Sequence, residues 1–375
     1  MKKELRSLRS MYGRYNTFAE NQYVADAHTF FNFSREKTDN ATLRNAVRAY
    51  KLIPFFDFLR TVKHIAYAKN IFDLIPQIQC LYKTLLFVEF LVKEGVIKVS
   101  RDGAITFLKK EWLPLFPMPK TEKEVRQAIE TKLGIRIKEN APITDLFKKA
   151  GFSVTTAFDQ APISQGSAVF VVHKILANIP LTDTFLFVGD DDFISIMLGL
   201  ADPSVSSVVI DADKGLLEAL DSVAEEHSLR IRTELIDVRK LEQAKGTFTG
   251  FLCNPPYTEK GAEAFLKYGL RHLGKDGGFA FLELGNDAID NRFLFLQKTF
   301  TRNGLLMEQA VREKITYPHL GTYEDYEFTN KRLAAFVDAA VVASQPELAA
   351  TLYVFNYVPE PMKRIKTGQS IYAYL

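Results

Sequence analysis

Strand-like and helix-like segments alternate along the second half of this chain, and that order limits the folds it can adopt. They follow one another at 184–188 (strand), 191–200 (helix), 206–210 (strand), 213–225 (helix), 230–236 (strand), 248–253 (strand), 260–272 (helix) and 278–284 (strand). Such alternation predicts βαβ units and therefore an α/β fold with a parallel, doubly wound sheet. Two later strand-like runs, 333–342 and 350–358, predict the hairpin that closes a Rossmann-like domain of the class I methyltransferase type.

The first 108 residues follow a different pattern. Helix-period apolar faces occupy 39–58 and 71–94, and two short strand-like runs, 96–99 and 104–107, flank the turn Arg101-Asp102-Gly103. Helices followed by a hairpin predict a winged-helix-like N-terminal domain.

Winged helices often read DNA through a basic helix, so this function must be weighed here. The segment 77–94 contains Lys83 and Lys93 as its basic residues, and its apolar stripe consists of Leu81, Leu85, Val88 and Val92. A helix of this kind lacks the cations that phosphate contacts require. We therefore expect no nucleic-acid partner, and we expect the stripe to be buried against the linker, the catalytic domain or a second subunit of a homodimer.

A proline-rich segment at 112–120, followed by a helix-like segment at 121–134, separates the two patterns. The predicted organisation is a winged-helix-like domain at 1–108, a linker with a connecting helix at 109–155, and a Rossmann-like catalytic domain at 156–375.

Composition narrows the partners and the cellular setting. The 375 residues carry a formal net charge of +3, too small a bias to indicate nucleic-acid binding without a local patch. Cys80 and Cys253 lie far apart and have no metal-ligand spacing, which predicts neither a disulfide nor a metal site. The N-terminal sequence lacks a secretory pattern, and no apolar run approaches the roughly 20 residues of a membrane span. A cytoplasmic protein with no membrane partner is expected.

The run Phe187-Val188-Gly189-Asp190-Asp191-Asp192 joins the first predicted strand of the sheet to its helix. A nucleotide-binding fold places its first cofactor loop at this point. Phosphate sites need bare backbone N–H groups and several glycines, whereas adjacent carboxylates repel an anion. The loop therefore predicts a cationic ligand held against Gly189 and Asp190. S-adenosylmethionine carries a sulfonium, and its decarboxylated form carries a sulfonium and an ammonium without a carboxylate.

Two further acids end predicted strands. Asp211 ends the second strand, where an acid typically accepts hydrogen bonds from ribose hydroxyls, and Asp213 is predicted to cap the next helix. Asp237 ends the third strand, where it is placed either to accept a bond from the adenine amino group or to be a solvated turn residue.

The segment Asn254-Pro255-Pro256-Tyr257 follows the strand at 248–253. It resembles the motif with which amino-nitrogen methyltransferases hold a planar nitrogen. In that motif the Asn oxygen and the first proline carbonyl accept N–H bonds, and the Tyr ring stacks on the substrate.

Other polar residues are predicted at the same edge of the sheet. The segment 158–166 has polar residues flanking an extended stretch, which suits either the mouth of a site, with Asp159 and Gln165 facing it, or a plain interdomain loop. Glu283 ends the strand at 278–284, and Asn286 and Asp287 follow it. The acidic aromatic segment 323–327 suits either a cover for a cationic substrate or a surface loop.

Together these residues resemble the branched-chain polyamine synthases, the N4-bis(aminopropyl)spermidine synthase family. The resemblance rests on Phe158-Asp159-Gln160, where that family typically has Tyr-Asp-Gln, on Gly189-Asp190-Asp191-Asp192, and on Asn254-Pro-Pro-Tyr257. The order of the predicted domains extends it to most of the chain.

This resemblance implies aminopropyl transfer from decarboxylated S-adenosylmethionine, a co-substrate and not a bound cofactor, to a polyamine nitrogen. Linear aminopropyltransferases have an aspartate where Asn254 stands, so the base is expected in the acidic loop. Asp192 is the expected base, with Asp190 and Asp191 binding cationic groups and Asn254 completing the catalytic set. Gly189, Asp190, Asp211, Asp237 and Gln165 are expected to contact the donor, and Asp159, Asp192, Tyr257 and Glu283 the acceptor.

Three alternatives remain at this stage. An amino-nitrogen methyltransferase fits Asn254-Pro-Pro-Tyr257 but not the acidic loop. An aminocarboxypropyltransferase would keep the donor carboxylate. A winged-helix regulator that senses a nucleoside would need a basic recognition face, which 77–94 does not provide.

Overall fold

The computed structural model of the chain describes residues 2–30, 40–78, 80–155, 158–182, 184–240, 244, 246–285, 289–318, 332, 335–338, 341, 346 and 348–359. These residues form two compact units, one ending at Phe116 and the other spanning Pro117–Pro359. Within the described part of the chain, no helix combines the length and apolar character needed to cross a membrane.

The first unit is mainly helical. Its elements are α1 (Lys2–Phe30), α2 (Asn40–Tyr50), α3 (Phe55–Tyr67), α4 (Ile75–Ile78), α5 (Leu81–Lys93), β1 (Ile97–Val99) and β2 (Ile105–Phe107). The helical segment predicted at 39–58 is divided into α2 and α3. Pro54 lies directly before α3, and a proline has no N–H to donate to the helix that precedes it. The antiparallel pair β1–β2 forms the predicted hairpin around Gly103, whose φ is +84°. Assignment of this unit to the winged-helix class stays a prediction.

Within this unit, helix α5 packs through the face opposite the apolar stripe. Tyr15 of α1 stacks on Phe87 with ring centroids 4.3 Å apart, and Phe90 and Leu91 are buried beside it. Leu81, Leu85 and Val92 are instead exposed at 55%, 48% and 46%. The larger aromatic residues on the opposite side of the helix form the core of this unit, and burial of the stripe against the linker, the catalytic domain or a second subunit stays a prediction.

The second unit contains the predicted doubly wound sheet. Its helices are α6 (Glu122–Leu133), α7 (Gln165–Asn178), α8 (Ile194–Ala201), α9 (Lys214–Glu226), α10 (Glu259–Arg271) and α11 (Phe293–Arg302). Its strands are β3 (Phe185–Val188), β4 (Ser207–Asp211), β5 (Ile231–Leu235), β6 (Gly250–Cys253), β7 (Gly278–Leu284), β8 (Leu305–Tyr317) and β9 (Leu348–Tyr357). The strand order is β5-β4-β3-β6-β7-β9-β8.

The first five of these strands are parallel, and β9 and β8 are antiparallel to their neighbours. A parallel sheet of this order closed by an antiparallel pair is the Rossmann-like fold of class I methyltransferases. The prediction of a closing hairpin is right, but its first strand is β8 and not 333–342. Residues 335–338 form a turn, and several residues of 333–342 lie outside the described part of the chain.

Both faces of the sheet are covered. Leu186 and Val188 point into a core with Leu266 of α10 and Phe300 of α11, and alternate residues such as Phe187 are buried on the other face. Successive side chains of a strand point to opposite faces, so a continuous apolar run such as Phe185–Val188 requires cover on both sides. This burial fixes the ends of β3 and β6, from which the polar loops emerge.

Candidate active site

The polar loops meet where the order of the sheet reverses. Val188 of β3 lies beside Cys253 of β6, yet β3 connects toward β4 and β6 connects toward β7 on the other side. Crevices at such switch points, beyond the carboxyl ends of the strands, are the usual ligand sites of these sheets. A cavity of about 810 Å³ lies at this point.

Carboxylates outnumber cations around this cavity. Among the described residues, its charged lining consists of Asp159, Asp191, Asp211, Asp237, Arg239 and Lys260. The excess of negative charge favours a cationic ligand over an anionic one. The described residues contain no group of three or more His, Cys, Asp or Glu side chains arranged to hold a metal ion.

Gly189 brings the main chain close to the cavity. Its φ of +76° favours glycine, and a Cβ atom at this position would lie 3.2 Å from Cε1 of Phe265. The Oδ2 atom of Asp211 would be 3.7 Å from the same Cβ. A side chain here would therefore be strained and would fill the space between the acidic loop and α10.

The three acids of the loop have different environments. Asp190 is buried and does not line the cavity. Its carboxylate points instead to the start of α8, where Oδ1 accepts a 2.9 Å bond from Ile194 N and both oxygens accept bonds from Ser195 N. Asp191 lines the cavity, and its Oδ2 accepts a 3.0 Å bond from Ala161 N. Asp190 therefore fixes the start of a helix and is not placed to touch a donor, contrary to the role expected for it.

Asp192 lies behind the cavity wall and faces Asn254. Its Oδ1 accepts a 2.7 Å bond from Ile163 N, and its Oδ2 accepts a 2.8 Å bond from Nδ2 of Asn254. It is 2% exposed and does not line the cavity. Direct contact with an acceptor, expected from the sequence, does not fit this placement, because the carboxyl group is buried and does not reach the cavity surface.

Asn254 is held from both ends of its amide. An ionised Asp192 can accept but not donate, so Nδ2 of Asn254 points toward it and Oδ1 faces the cavity side, where the hydroxyl of Tyr317 donates to it at 3.4 Å. The hydroxyl groups of Tyr257 and Tyr317 are hydrogen bonded to each other, and their rings are perpendicular with centroids 6.1 Å apart. The site thus presents a fixed amide oxygen beside two aromatic rings.

Burial dominates the electrostatics of this cluster. Burial, together with the charges of Asp192 and Asp211, holds the pKa of Asp191 well above its ordinary value. Burial raises the pKa of Asp192 to about 6, opposed by its bonds from Ile163 N and Asn254. Burial and the neighbouring aspartates raise the pKa of Glu283 strongly. Proton positions in this cluster are therefore sensitive to a bound cation near neutral pH.

The remaining strand-end acids lie on the opposite side of the cavity. Asp211 accepts a 2.7 Å bond from Asp213 N, and burial raises its pKa to about 6. Asp213 caps α9 through Gly215 N at 2.8 Å, as the sequence predicts. Asp237 forms a two-bond ion pair with Arg239, with Nε and a terminal nitrogen each 2.8 Å away, and this pair lowers the pKa of Asp237 to about 2.

The segment before α7 lies at the cavity mouth. Phe158 and Asp159 are exposed and line the cavity, and Asp159 has a φ of +56° that aspartate tolerates better than most residues. Gln160 donates a 2.9 Å bond to Asp213 and accepts one of 2.9 Å from Thr155 N. These bonds hold the mouth segment against the start of α9.

Two other expected residues lie away from the cavity. Gln165 accepts a 2.9 Å bond from Lys138 N and donates to the carbonyl of Pro142 at 3.1 Å, so it holds a loop against α7 and not a donor. Glu283 is fully buried at the end of β7 and does not line the cavity. Asn286, Asp287 and the segment 323–327 lie outside the described residues.

The sequence profile of the branched-chain polyamine synthase A C-terminal domain matches residues 145–366, which is more than half of the chain and includes all the strand-end loops. The chain belongs to the branched-chain polyamine synthase family. The resemblance first seen in three short motifs is thereby confirmed.

Individual relatives are more distant. The chain is 31% identical over 247 residues to an uncharacterised protein of Methanocaldococcus jannaschii, an alignment that covers 63% of this chain and 61% of the relative. It is 24% identical over 193 residues to the N(4)-bis(aminopropyl)spermidine synthase of the same organism, covering 50% of this chain and 55% of the relative. The chain therefore matches about three fifths or less of the length of each of these curated relatives.

Among solved structures, the chain is similar to the branched-chain polyamine synthase of Thermus thermophilus in complex with N4-aminopropylspermidine and 5′-methylthioadenosine. The superposition covers 89% of this chain and 96% of that one, with 17% identity and a TM-score of 0.47.

Several cavity residues do not stand out in the sequence. Tyr317 reaches the site from the end of β8, a strand that periodicity does not predict. Arg239 and Lys260 line the cavity without belonging to a motif, although Arg239 stands two residues after a strand-end acid, which is a usable signal for an ion pair. Phe265 lies on the apolar face of α10 and is indistinguishable by pattern from a core residue.

Proposed function

We propose that this protein transfers an aminopropyl group from decarboxylated S-adenosylmethionine to a polyamine nitrogen. The observation that carries the proposal is the meeting of Asp191 with Asn254 in one acidic cavity at the switch point of a methyltransferase-type sheet. Membership of the branched-chain polyamine synthase family supports it, as does the name of the curated relative, N(4)-bis(aminopropyl)spermidine synthase.

In this proposal the donor occupies the side of the cavity formed by β3, β4 and β5. Asp211 accepts bonds from the ribose hydroxyls, and the apolar lining residues Ile236, Val238 and Phe265 contact the adenine. The sulfonium lies near Gly189 and Asp191, where the negative potential favours it. A donor without a carboxylate avoids repulsion from the same acids.

The acceptor occupies the side formed by the loop after β6 and the mouth segment. Asn254 Oδ1 accepts an N–H bond from the reacting nitrogen, and Tyr257 and Tyr317 offer aromatic contacts to a cationic chain. Asp159, exposed at the mouth, binds a distal ammonium group.

The chemical step is a displacement at carbon. The lone pair of the acceptor nitrogen attacks the methylene carbon next to the sulfonium, a C–N bond forms, and the C–S bond breaks with its electron pair returning to sulfur. The leaving group is then the neutral thioether 5′-methylthioadenosine. The nitrogen must be unprotonated to attack, so a base has to take a proton from the ammonium form that prevails at neutral pH.

Asp191 is the proposed base, in place of Asp192. It lines the cavity and has one oxygen that accepts no bond from the described protein donors, whereas both oxygens of Asp192 accept bonds from the protein. Its raised pKa brings proton affinity closer to that of an amine held beside other cations. Asp192 acts through Asn254, whose amide it orients.

Lys260 supports a second candidate function, aminocarboxypropyl transfer. This cation lines the cavity at the start of α10 and is placed to pair with the carboxylate of an intact S-adenosylmethionine. Transfer of an aminocarboxypropyl group would proceed by the same displacement from that donor.

Mass spectrometry of polyamines incubated with the purified protein and each donor separately tests the proposal. The expected product gains one or more aminopropyl units from the decarboxylated donor, with stoichiometric 5′-methylthioadenosine, and the Asp191→Asn variant serves as the matched inactive control. Gain of an aminocarboxypropyl group would establish the second candidate. Gain of a methyl group with S-adenosylhomocysteine, or no product from a series of linear and branched amines, would contradict aminopropyl transfer.

A further inference from the structure

Glu283 stands out as a buried acid without an ordinary partner. It lies at the end of β7, is 0% exposed, and neither of its side-chain oxygens accepts a bond from an N–H or O–H donor among the described residues. A buried carboxylate in this situation would lose its hydration without compensation. The strand register gives its position: Leu282 of β7 pairs with Cys253 of β6, so Glu283 lies beside Asn254.

The group that Glu283 does meet is another acid. The strand register sets Glu283 beside Asn254, and Asn254 bonds to Asp192 across 2.8 Å, so the two carboxyl groups share one buried cluster and each influences the pKa of the other. Two carboxylates in contact cannot both be ionised in a buried site without a cation between them, so one of them keeps a proton and donates it to the other. The pair is then a single hydrogen-bonded unit with one negative charge.

The contacts decide which acid keeps the proton. Asp192 accepts bonds from Ile163 N and from Asn254 Nδ2, and both of these stabilise its anionic form. Glu283 accepts none from such donors among the residues that the structure describes. The proton therefore belongs on Glu283, which donates to Asp192.

We propose that Glu283 is a positioning residue of the transferase: as a protonated acid it donates to Asp192, keeps Asp192 ionised, and thereby holds Asn254 with its amide oxygen toward the acceptor. This inference rests on the proposed function for its kinetic consequence, while the location of the proton is independent of it. The chain of contacts runs from Glu283 through Asp192 to Asn254 Oδ1, and Glu283 itself touches no substrate.

Several charged or titratable groups face this pair and enter its pH dependence. They are Asp190 and Asp191 from the loop after β3, Cys253 from β6, Tyr257 from the loop after β6, and Tyr317 from β8. On the other side of β7, Glu283 lies opposite Leu352 of β9, which adds no charge. Their combined effect favours the neutral form of Glu283, because the nearby ionisable groups acquire negative charge when they lose a proton.

The Glu283→Gln and Glu283→Leu variants separate positioning from bulk packing. The amide introduced by Glu283→Gln can still donate to Asp192 but cannot lose a proton, so turnover near neutral pH should stay within about threefold of the wild type. The alkaline decline that begins when Glu283 ionises should be absent from this variant. Glu283→Leu removes the donor and should lower kcat/KM for the acceptor by ~10–100-fold at pH values where Glu283 of the wild type is protonated, the effect of losing a hydrogen bond to a buried charge.

Infrared spectroscopy of the unliganded protein near pH 7 supplies the readout that does not depend on activity. The carbonyl band of a protonated carboxylic acid should be present in the wild type and lose the intensity of one group in Glu283→Gln. If that variant is unstable, Asp192→Asn gives a second readout, because Glu283 loses the anion that accepts its proton and its acid band should shift in frequency.

The outcomes are distinct. Persistence of the full acid band in Glu283→Gln, or an unchanged alkaline limb in its pH profile, would overturn the inference. Equal impairment of the Gln and Leu variants at all pH values would also overturn it. A protein whose Glu283→Gln variant loses the band, but which transfers no aminopropyl group, would refute the proposed function while the assignment of the proton stands.

Discussion

Asn254 donates from Nδ2 to Oδ2 of Asp192 across 2.8 Å, so an acid from the loop after β3 sets the orientation of an amide from the loop after β6. The two residues are 62 positions apart in the sequence and meet because β3 and β6 are neighbouring parallel strands. This relationship distinguishes two residues of the acidic loop: Asp191 lines the cavity, and Asp192 bonds to other protein groups. Different consequences follow for each.

Asp191→Asn and Asp192→Asn should fail in different ways. Loss of the base should lower kcat by ~10²–10⁴ in Asp191→Asn, the usual contribution of a positioned proton acceptor. Asp192→Asn should mainly raise KM for the acceptor, with a smaller loss of kcat, because Asn254 is then free to rotate. Steady-state kinetics with varied acceptor would measure both, and a larger loss of kcat in Asp192→Asn would return the role of base to that residue.

Tyr317→Phe should weaken the site more than Tyr257→Phe does. The Tyr317 hydroxyl contacts both Asn254 Oδ1 and the other tyrosine, whereas the Tyr257 hydroxyl bonds to Tyr317. A neutral hydrogen bond contributes about 1 kcal/mol, so kcat/KM should fall roughly fivefold in Tyr317→Phe. The paired Phe variants keep the aromatic surface and control for packing. A larger effect of Tyr257→Phe would show that its hydroxyl contacts substrate directly.

Decarboxylated S-adenosylmethionine should bind at least about ten times more tightly than S-adenosylmethionine, a difference of about 1.4 kcal/mol. The reason is the excess of carboxylates around the cavity, which repels the carboxylate of the intact donor. Calorimetry with both donors measures the difference. Asp211→Asn is the matched control, since it should weaken both donors by the same factor through the shared ribose. Equal or reversed affinities in the wild type would contradict the assignment of the donor.

The unliganded protein should lose stability as pH rises from about 4 to about 6. The pKa of Asp211 is raised to about 6 by burial, so the folded state binds its proton more tightly than the unfolded state does. That contribution to the free energy of unfolding is full below the ordinary aspartate pKa and disappears as pH passes 6. One such group contributes a slope of at most about 1.4 kcal/mol per pH unit, and Asp192 titrates in the same window.

Chemical denaturation across this pH range, in wild type and Asp211→Asn, measures the slope. The variant should show a shallower dependence. Asp237→Asn is the control, because Asp237 changes stability with pH in the opposite direction. Arg239 lowers the pKa of Asp237 to about 2, so its contribution to the free energy of unfolding is lost only as pH falls through that value. An unchanged slope in Asp211→Asn would show that Asp211 is not protonated in the folded state.

The centre of the sheet was predictable from the sequence because β3, β4, β6 and β7 are buried on both faces and their sequences are largely continuous apolar runs, whereas the edge strand β5 is only partly buried. The positions of Asp191, Asp211, Asp237 and Asn254 around one cavity followed from the rule that strand ends converge. Strand β8 was not predictable in the same way. It is an edge strand whose register shifts after Met307 and after Val311, and such irregularities break the two-residue alternation.

The different roles of Asp190, Asp191 and Asp192 could not be predicted from the sequence either. Adjacent residues of a loop can point in any direction, and here the positive φ of Phe193, at +52°, turns the chain so that Asp190 meets the start of α8. Gln165 depends on Lys138 for its role, and Glu283 on Asp192. Both partners lie far away in the sequence, so no local sequence pattern predicts these pairs. Tyr317 is the clearest example of a residue supplied to the site by topology alone.

The N–H groups that hold Asp191 and Asp192 belong to the main chain of Ala161 and Ile163, with Pro162 between them. A main-chain donor is present whatever side chain the residue carries, proline excepted. Exchange of the side chain at 161 or 163 therefore keeps both N–H donors as long as the main chain stays in place, while the neighbouring Phe158 and Asp159 at the mouth can change independently. During evolution, residues at the cavity mouth can therefore change, and with them the preferred acceptor, while the main-chain bonds that position Asp191 and Asp192 are kept.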